Sequence, residues 1–241
     1  MPHSYQMTHP AVTIITPCFN EGPIVIKFLQ NLEAAIIPLP YTFTVVVVDD
    51  CSADNTLSLL HSFRFKSAAI SLNVIALTTN AGHQAAIYQG FLHAKASECN
   101  HFIVMDSDGQ DAPSVIPALL RHLDADIVNV VRSKRTESMP FRVSYSVYKW
   151  LFRLATGKEM NYGNFCLISR KVLLDAVEAN FSHFAAFLSK QRCTTKYIIA
   201  NREPRLGGRS KMGFFKLMGH AFRSFGEYGN ELRVPRFRVR S

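Results

Sequence analysis

The chain has 241 residues, 48% of them hydrophobic, enough to bury one sizeable core within a single large domain. Its formal net charge is +9, but ten Lys or Arg against three Glu fall between Arg202 and the end, so the body is near neutral and the tail is cationic. The polar start does not read as a signal peptide, no run of about 18 apolar residues is present for a membrane span, and the five widely spaced cysteines, without a CxxC pair, read as reduced thiols in a cytosolic setting rather than a zinc site.

In chain order, apolar β-branched runs alternate with helical stretches, the pattern of a mostly parallel sheet covered by helices. A strand is predicted over Val12–Thr16 and a helix over Ile24–Ala35. The second strand, Phe43–Asp49, carries a VVVVDD run that is continuous rather than alternating, so it is expected to be central and buried on both faces. Asp54 is placed to cap a helix over Asp54–Phe63. There follow a strand over Asn73–Leu77, a helix over Gln84–Ala96, a strand over His101–Met105, a helix over Ser114–Leu123 with Pro113 in its first turn, and a strand over Asp126–Arg132. Beyond Arg132 the texture becomes basic and aromatic, with a helix over Phe141–Thr156, a short strand over Phe165–Ser169 and more helix to Arg192. Asn201–Lys211, NREPRLGGRSK, is a loop by composition, and Met212–Tyr228 reads as a final helix.

In open α/β sheets, ligands sit outside the carboxyl ends of the strands. Four predicted strands end there in polar runs: TPCFNE from Thr16, DDCSAD from Asp49, TNAG from Thr79 and DSDGQD from Asp106. One carboxylate after a strand is commonly a helix cap or a solvated turn. Four such ends in register argue for a site. Asp106 and Asp108, with Gln110 close behind, offer oxygen ligands to a hard cation, Mg2+ or Mn2+, that keeps positions open for phosphate oxygens. A metal so placed would neutralise a leaving diphosphate. His83 is read as a core or cap residue, Asp111 is left between a solvated and a substrate role, and Cys51 and Cys166 lack a neighbouring His that would mark a nucleophile.

TPCFNE, VVDDCSADNT, NAGHQAAIYQG, MDSDGQDAP, GNFCLISRKV and PRLGGRSKM, in that order and at those spacings, resemble the dolichyl-phosphate mannose synthase-like branch of the family 2 glycosyltransferases, over roughly Val12 to Phe225. The resemblance implies an α/β fold of the GT-A type, with a catalytic domain over 1–211 and an amphipathic, basic segment over 212–241. It places Pro17, Phe19, Glu21 and Asp50 on the nucleotide base and ribose, and the neighbouring strand ends add Asp49, Asn80 and Gly82 to the donor site. Asp106, Asp108 and Gln110 would hold the metal, while Arg132, Arg205, Ser210 and Lys211 match positions that meet phosphate groups. Asp106, Asp108, Arg132 and Arg205 are then the residues expected to carry catalysis.

Two departures matter. Asn164 stands where many relatives have Asp, and an amide cannot act as a general base. Many relatives also continue into two membrane helices. A lipid phosphate is already ionised at neutral pH and needs no base, so the expected reaction is inverting transfer from a UDP- or GDP-sugar to a polyprenyl phosphate, dolichyl or undecaprenyl. Alternatives are transfer to a hydroxyl of a saccharide or lipid-linked saccharide, with Asp111 or another carboxylate as base, and a catalytically silent nucleotide-sugar binder. An anionic membrane surface, contacted from the cytoplasmic face by aromatic and basic residues of 141–156 and 212–228, is the expected setting. A homo-oligomer or a membrane partner subunit is compatible with this reading, and nucleic acid is not an expected partner.

Overall fold

The computed structural model describes residues 10–132 and 162–207. Its elements are β1 (Ala11–Cys18), α1 (Val25–Ile36), β2 (Thr42–Asp49), α2 (Thr56–Ser62), β3 (Ile70–Ala76), α3 (His83–Ala94) and β4 (His101–Val104). A 3-10 turn over Pro113–Val115 leads into α4 (Ile116–Leu120), followed by β5 (Ile127–Arg132), β6 (Tyr162–Ser169), α5 (Arg170–Ala179), α6 (Phe184–Lys190) and β7 (Thr195–Ala200).

The strands form one seven-stranded sheet in the order β3-β2-β1-β4-β6-β5-β7. All neighbouring pairs are parallel except those of β6, which runs antiparallel to both β4 and β5. Helices cover both faces, and successive residues of the interior strands go to opposite cores. Val45 and Val47 pack with Ile14 and with Phe28, Leu29 and Leu32 of α1. Val46 and Val48 pack with Ile15, with Ile87 and Phe91 of α3, and with Phe184 and Phe187 of α6. This two-sided burial is why the valine run is continuous; β2 is flanked by strands on both sides, one place in from the edge. On α1 the buried Val25, Phe28, Leu29, Leu32 and Ile36 recur at helical spacing, and burying each large apolar side chain contributes about 1.5–3 kcal/mol.

Register sets the level at which the loops leave the sheet. Cys18 lies opposite Asp49, and Asp49 opposite Ala76. The runs TPCFNE, DDCSAD and TNAG therefore emerge side by side at the carboxyl edge.

Several sequence expectations are corrected. Strand β7 was not anticipated; among the described residues it lies at the sheet edge, paired with β5, and mixes part-buried with exposed residues. β3 starts at Ile70 rather than Asn73. The helix expected over Ser114–Leu123 is a 3-10 turn plus the five-residue α4, with Pro113 in the first turn as expected. The helical stretch up to Arg192 is broken at Asn180, whose left-handed conformation (φ 48) ends α5. Asp54 does not begin α2. The helix starts at Thr56 after Asn55, and Asp54 stands just outside it. The helices expected over Phe141–Thr156 and Met212–Tyr228 lie outside the described residues, as does the boundary expected at 211. Among the described residues no helix is long and apolar enough to cross a membrane.

Candidate active site

The loop after β1 is laced to the loop after β2. The Asn20 amide donates to Ser52 Oγ at 2.8 Å, and Ala53 N–H donates to Asn20 Oδ1 at 2.7 Å. Glu21 N–H donates to Thr56 Oγ1 at 2.9 Å, and Gly22 N–H to Asp54 Oδ2 at 3.1 Å. Asp54 also accepts from the Thr56 amide at 3.0 Å, so it joins the start of α2 to the first loop. Pro17 is buried and Phe19 half-buried on this edge.

The DD pair closes the next gap. Asp50 is buried, and its two carboxylate oxygens accept the amides of Ala81 at 2.6 Å and Gly82 at 2.9 Å. Asn80 Nδ2 donates to the Asp50 carbonyl at 3.1 Å. Burial pushes the Asp50 carboxyl above its ordinary pKa, although the two amides pull it down. Asp49 Oδ2 accepts from Ser52 N–H at 3.1 Å, while its buried Oδ1 has no hydrogen-bond partner among the described residues. A buried carboxylate oxygen so placed calls for a hydrogen-bond donor.

The DSDGQD loop after β4 is held from both sides. Ser107 Oγ donates to the Pro17 carbonyl at 3.0 Å, which binds it to the first loop. Asp111 is buried and its Oδ2 accepts the Asp106 amide at 2.9 Å, so it shapes the loop rather than standing in solvent. Asp108 Oδ1 accepts the Gln110 amide at 2.9 Å. Burial raises the Asp108 carboxyl above its usual pKa, and the charge of Asp106 adds to this. His83, expected as a core or cap residue, is the part-buried first residue of α3, next to the N-cap Gly82, and its Nε2 lies 2.8 Å from Asp106 Oδ1. Burial favours the neutral ring, but the charge and hydrogen bond of Asp106, with the charges of Asp111 and Asp108, outweigh it and raise the His83 pKa.

Arg205 joins the outer parts. Its Nη2 lies 3.1 Å from Glu21 Oε1 and 3.6 Å from Asp108 Oδ2. The segment carrying it is docked by backbone bonds at both ends, from Glu203 N–H to the Gln110 carbonyl and from Leu206 N–H to the Asp108 carbonyl, each 3.1 Å.

The structure thus gathers Pro17, Phe19, Glu21, Asp49, Asp50, Asn80, Gly82, Asp106, Asp108, Gln110 and Arg205 on one edge of the sheet. Arg132 ends β5, two strands away from β4, and Ser210 and Lys211 lie outside the described residues. Asn164 sits near the start of β6 with a buried Oδ1 that has no partner among the described residues. Sequence reasoning missed the contacts of His83 and the lacing by Thr56 and Ser107. The signal for His83 was its place directly after a strand-end Gly on the same edge as the aspartates.

The donor set suits a divalent cation. The charge of Asp106, together with burial, disfavours the charge of Asp108, which a cation would relieve. Among the described residues no three His, Cys, Asp or Glu side chains are grouped so as to hold a metal ion, so a cation here would need oxygen ligands beyond the two carboxylates, such as those of a phosphate.

Residues 13–176 match the model of glycosyl transferase family 2, and the chain belongs to that family. The undecaprenyl-phosphate 4-deoxy-4-formamido-L-arabinose transferase of Pseudomonas savastanoi pv. phaseolicola is 32% identical over 218 residues, 88% of this chain and 63% of the relative. The chain therefore spans less than two thirds of the length of the curated relatives it matches. The mannosyl-3-phosphoglycerate synthase of Rubrobacter xylanophilus superposes with a TM-score of 0.63 at 14% identity, covering 89% of this chain and 71% of that one. A mannosyltransferase of Pyrobaculum calidifontis, solved with GDP-Man and Mn2+, gives 0.59 at 18% identity, covering 95% and 67%. These two are likenesses of fold.

Proposed function

We propose that the chain is an inverting, metal-dependent glycosyltransferase that moves a sugar from a UDP- or GDP-sugar to a polyprenyl phosphate at an anionic membrane surface, from the cytoplasmic face. The observation that carries this is the Arg205 bridge, which sets a cation between Glu21 of the nucleotide loop and Asp108 of the DSD loop. A diphosphate spanning those two loops would meet that guanidinium, which suits phosphate through its fork of donors. Family membership and the relative's undecaprenyl-phosphate substrate support the acceptor class.

In this reading Pro17, Phe19, Glu21 and Asp49 receive the nucleoside, with the Asp49 oxygen that has no partner among the described residues accepting from it. Asp50 orders Asn80 and Gly82 at the back of the donor site. Asp106, Asp108 and Gln110 would hold Mg2+ or Mn2+, which would supply Lewis-acid neutralisation of the leaving diphosphate. A solved fold neighbour that carries GDP-Man with Mn2+ supports that choice of ion. Arg132, Arg205, Ser210 and Lys211 meet the phosphates of donor and acceptor. The acceptor phosphate oxygen attacks the anomeric carbon and the nucleoside diphosphate departs. No base is needed, in keeping with the amide at Asn164 and with the engagement of Asp111 on the Asp106 amide. Residues 1–211 form the catalytic unit and 212–241 the membrane-facing segment, with room for a homo-oligomer or a membrane subunit.

The test incubates the protein with UDP- and GDP-sugars, Mn2+ and undecaprenyl phosphate, and analyses the lipid by mass spectrometry. A glycosylated lipid phosphate is expected with at least one donor. Sugar found only on added saccharide acceptors would overturn the acceptor class.

A further inference from the structure

His83 makes the contact that the proposed reaction leaves unused. Its Nε2 lies 2.8 Å from Asp106 Oδ1, and its other ring nitrogen, Nδ1, lies 3.4 Å from Gln84 Nε2. An amide nitrogen is only a donor, so in the neutral ring Nδ1 accepts and Nε2 carries the proton that points at the carboxylate, and in the protonated ring Nε2 carries it as well. Gln84 is itself anchored: it is buried, and its Oε1 accepts the Phe184 amide at the start of α6 at 2.7 Å. The backbone just before His83 is fixed too, since the Ala81 and Gly82 amides are held by Asp50. The ring is therefore oriented from both neighbouring elements, with α3 and α6 as its frame.

We propose that His83 is a positioning residue for the cation site, holding one oxygen of Asp106 so that the other is presented to the metal; this rests on the metal reading given under the proposed function. A carboxylate two residues along a turn from its partner has rotational freedom about its side-chain bonds. A fixed donor removes that freedom before the ion arrives, as hydrogen-bonded outer partners do for metal ligands in general. The Asp111 carboxylate does the same for the Asp106 backbone, so the residue is held at both its amide and its side chain.

The test titrates Mn2+ into the whole chain without nucleotide and reads free Mn2+ by electron paramagnetic resonance. Wild type is compared with His83→Phe, His83→Ala, His83→Gln and Asp108→Asn, each checked for native unfolding temperature. Losing the donor in the Phe variant, which keeps a ring, is expected to raise the Mn2+ Kd by roughly 10-fold or more. The Gln variant, which can again donate an N–H to Asp106, is expected to recover to within about threefold of wild type. The Ala variant should follow the Phe variant, and should Ala fail to fold, the Phe and Gln pair decides. A Phe variant that binds Mn2+ like wild type, while Asp108→Asn loses binding, overturns the positioning role and leaves the metal site standing. A Gln variant as weak as Phe overturns it as well, because the hydrogen bond is then not what matters. If Asp108→Asn binds Mn2+ like wild type, the metal reading itself fails, and the role of His83 with it.

Discussion

Gly109 in the middle of the DSDGQD loop tests how that loop and the Arg205 segment fit together. It has φ +81, and a Cβ there would come within 2.3 Å of Leu206 Cγ and 2.6 Å of its Cδ1. Gly109→Ala therefore brings two penalties. Holding an L residue in the left-handed region costs roughly 1–2 kcal/mol. Overpacking costs typically 1–3 kcal/mol, at the low end here because Leu206 is 36% exposed and can swing away. The sum is about 2–3 kcal/mol, a fall in melting temperature on the order of 4–12 °C for a chain of this size. Thermal unfolding of Gly109→Ala, Leu206→Ala and the double variant forms a cycle. The conformational share stays in every background, while the clash share disappears with Leu206, giving a coupling of roughly 1 kcal/mol. If Gly109→Ala costs under about 0.5 kcal/mol, or costs the same with and without Leu206, the segment is not seated on this loop as described.

Cys51→Gly should stabilise the chain by roughly 0.5–1 kcal/mol in thermal unfolding, because Cys51 has φ 59 and the relief of its left-handed strain exceeds the added chain entropy of Gly. Asp50→Asn should cost about 1.5–3 kcal/mol in chemical unfolding and raise the donor KM, since an amide can accept only one of the two N–H groups now held; an unchanged unfolding midpoint would contradict this. Gln84→Leu should cost about 1–3 kcal/mol by stranding the buried Phe184 amide, again read by unfolding. Changing Phe214, Phe215 and Phe222 to Ser should abolish low-salt co-sedimentation with anionic liposomes, because it removes the interfacial burial of aromatics that must add to an attraction of about 1 kcal/mol per basic residue near the surface. Binding indifferent to lipid charge would remove the membrane role of 212–241.

The interior of the sheet was legible because two-sided burial writes itself as unbroken runs of valine and isoleucine, and because four strands end in polar residues at one level. β7 was not, since TKYIIA at an edge has mixed exposure and no periodic signal beyond six residues. The start of β3 was lost for the same reason: Ser71 and Asn73 face outward on the other edge strand. At the site, residue types pointed to the DSD loop, but their partners are tertiary. Asp54, which looks like a cap, reaches back 32 residues to Gly22, and His83 reaches 23 residues on to Asp106. Neither contact leaves a local pattern. Asp111 shows the converse, an acidic residue in a turn whose carboxylate is spent on a backbone amide five residues before it.

The measurement closest to the central claim is the initial rate of nucleoside diphosphate release from the preferred sugar donor as Mn2+ is raised, for wild type and for Asp108→Asn. The account predicts a saturable rise with Mn2+ for wild type and near-background release for the variant, with both proteins unfolding at the same temperature. A variant that turns over like wild type at limiting Mn2+, or a wild type indifferent to the ion, would contradict it.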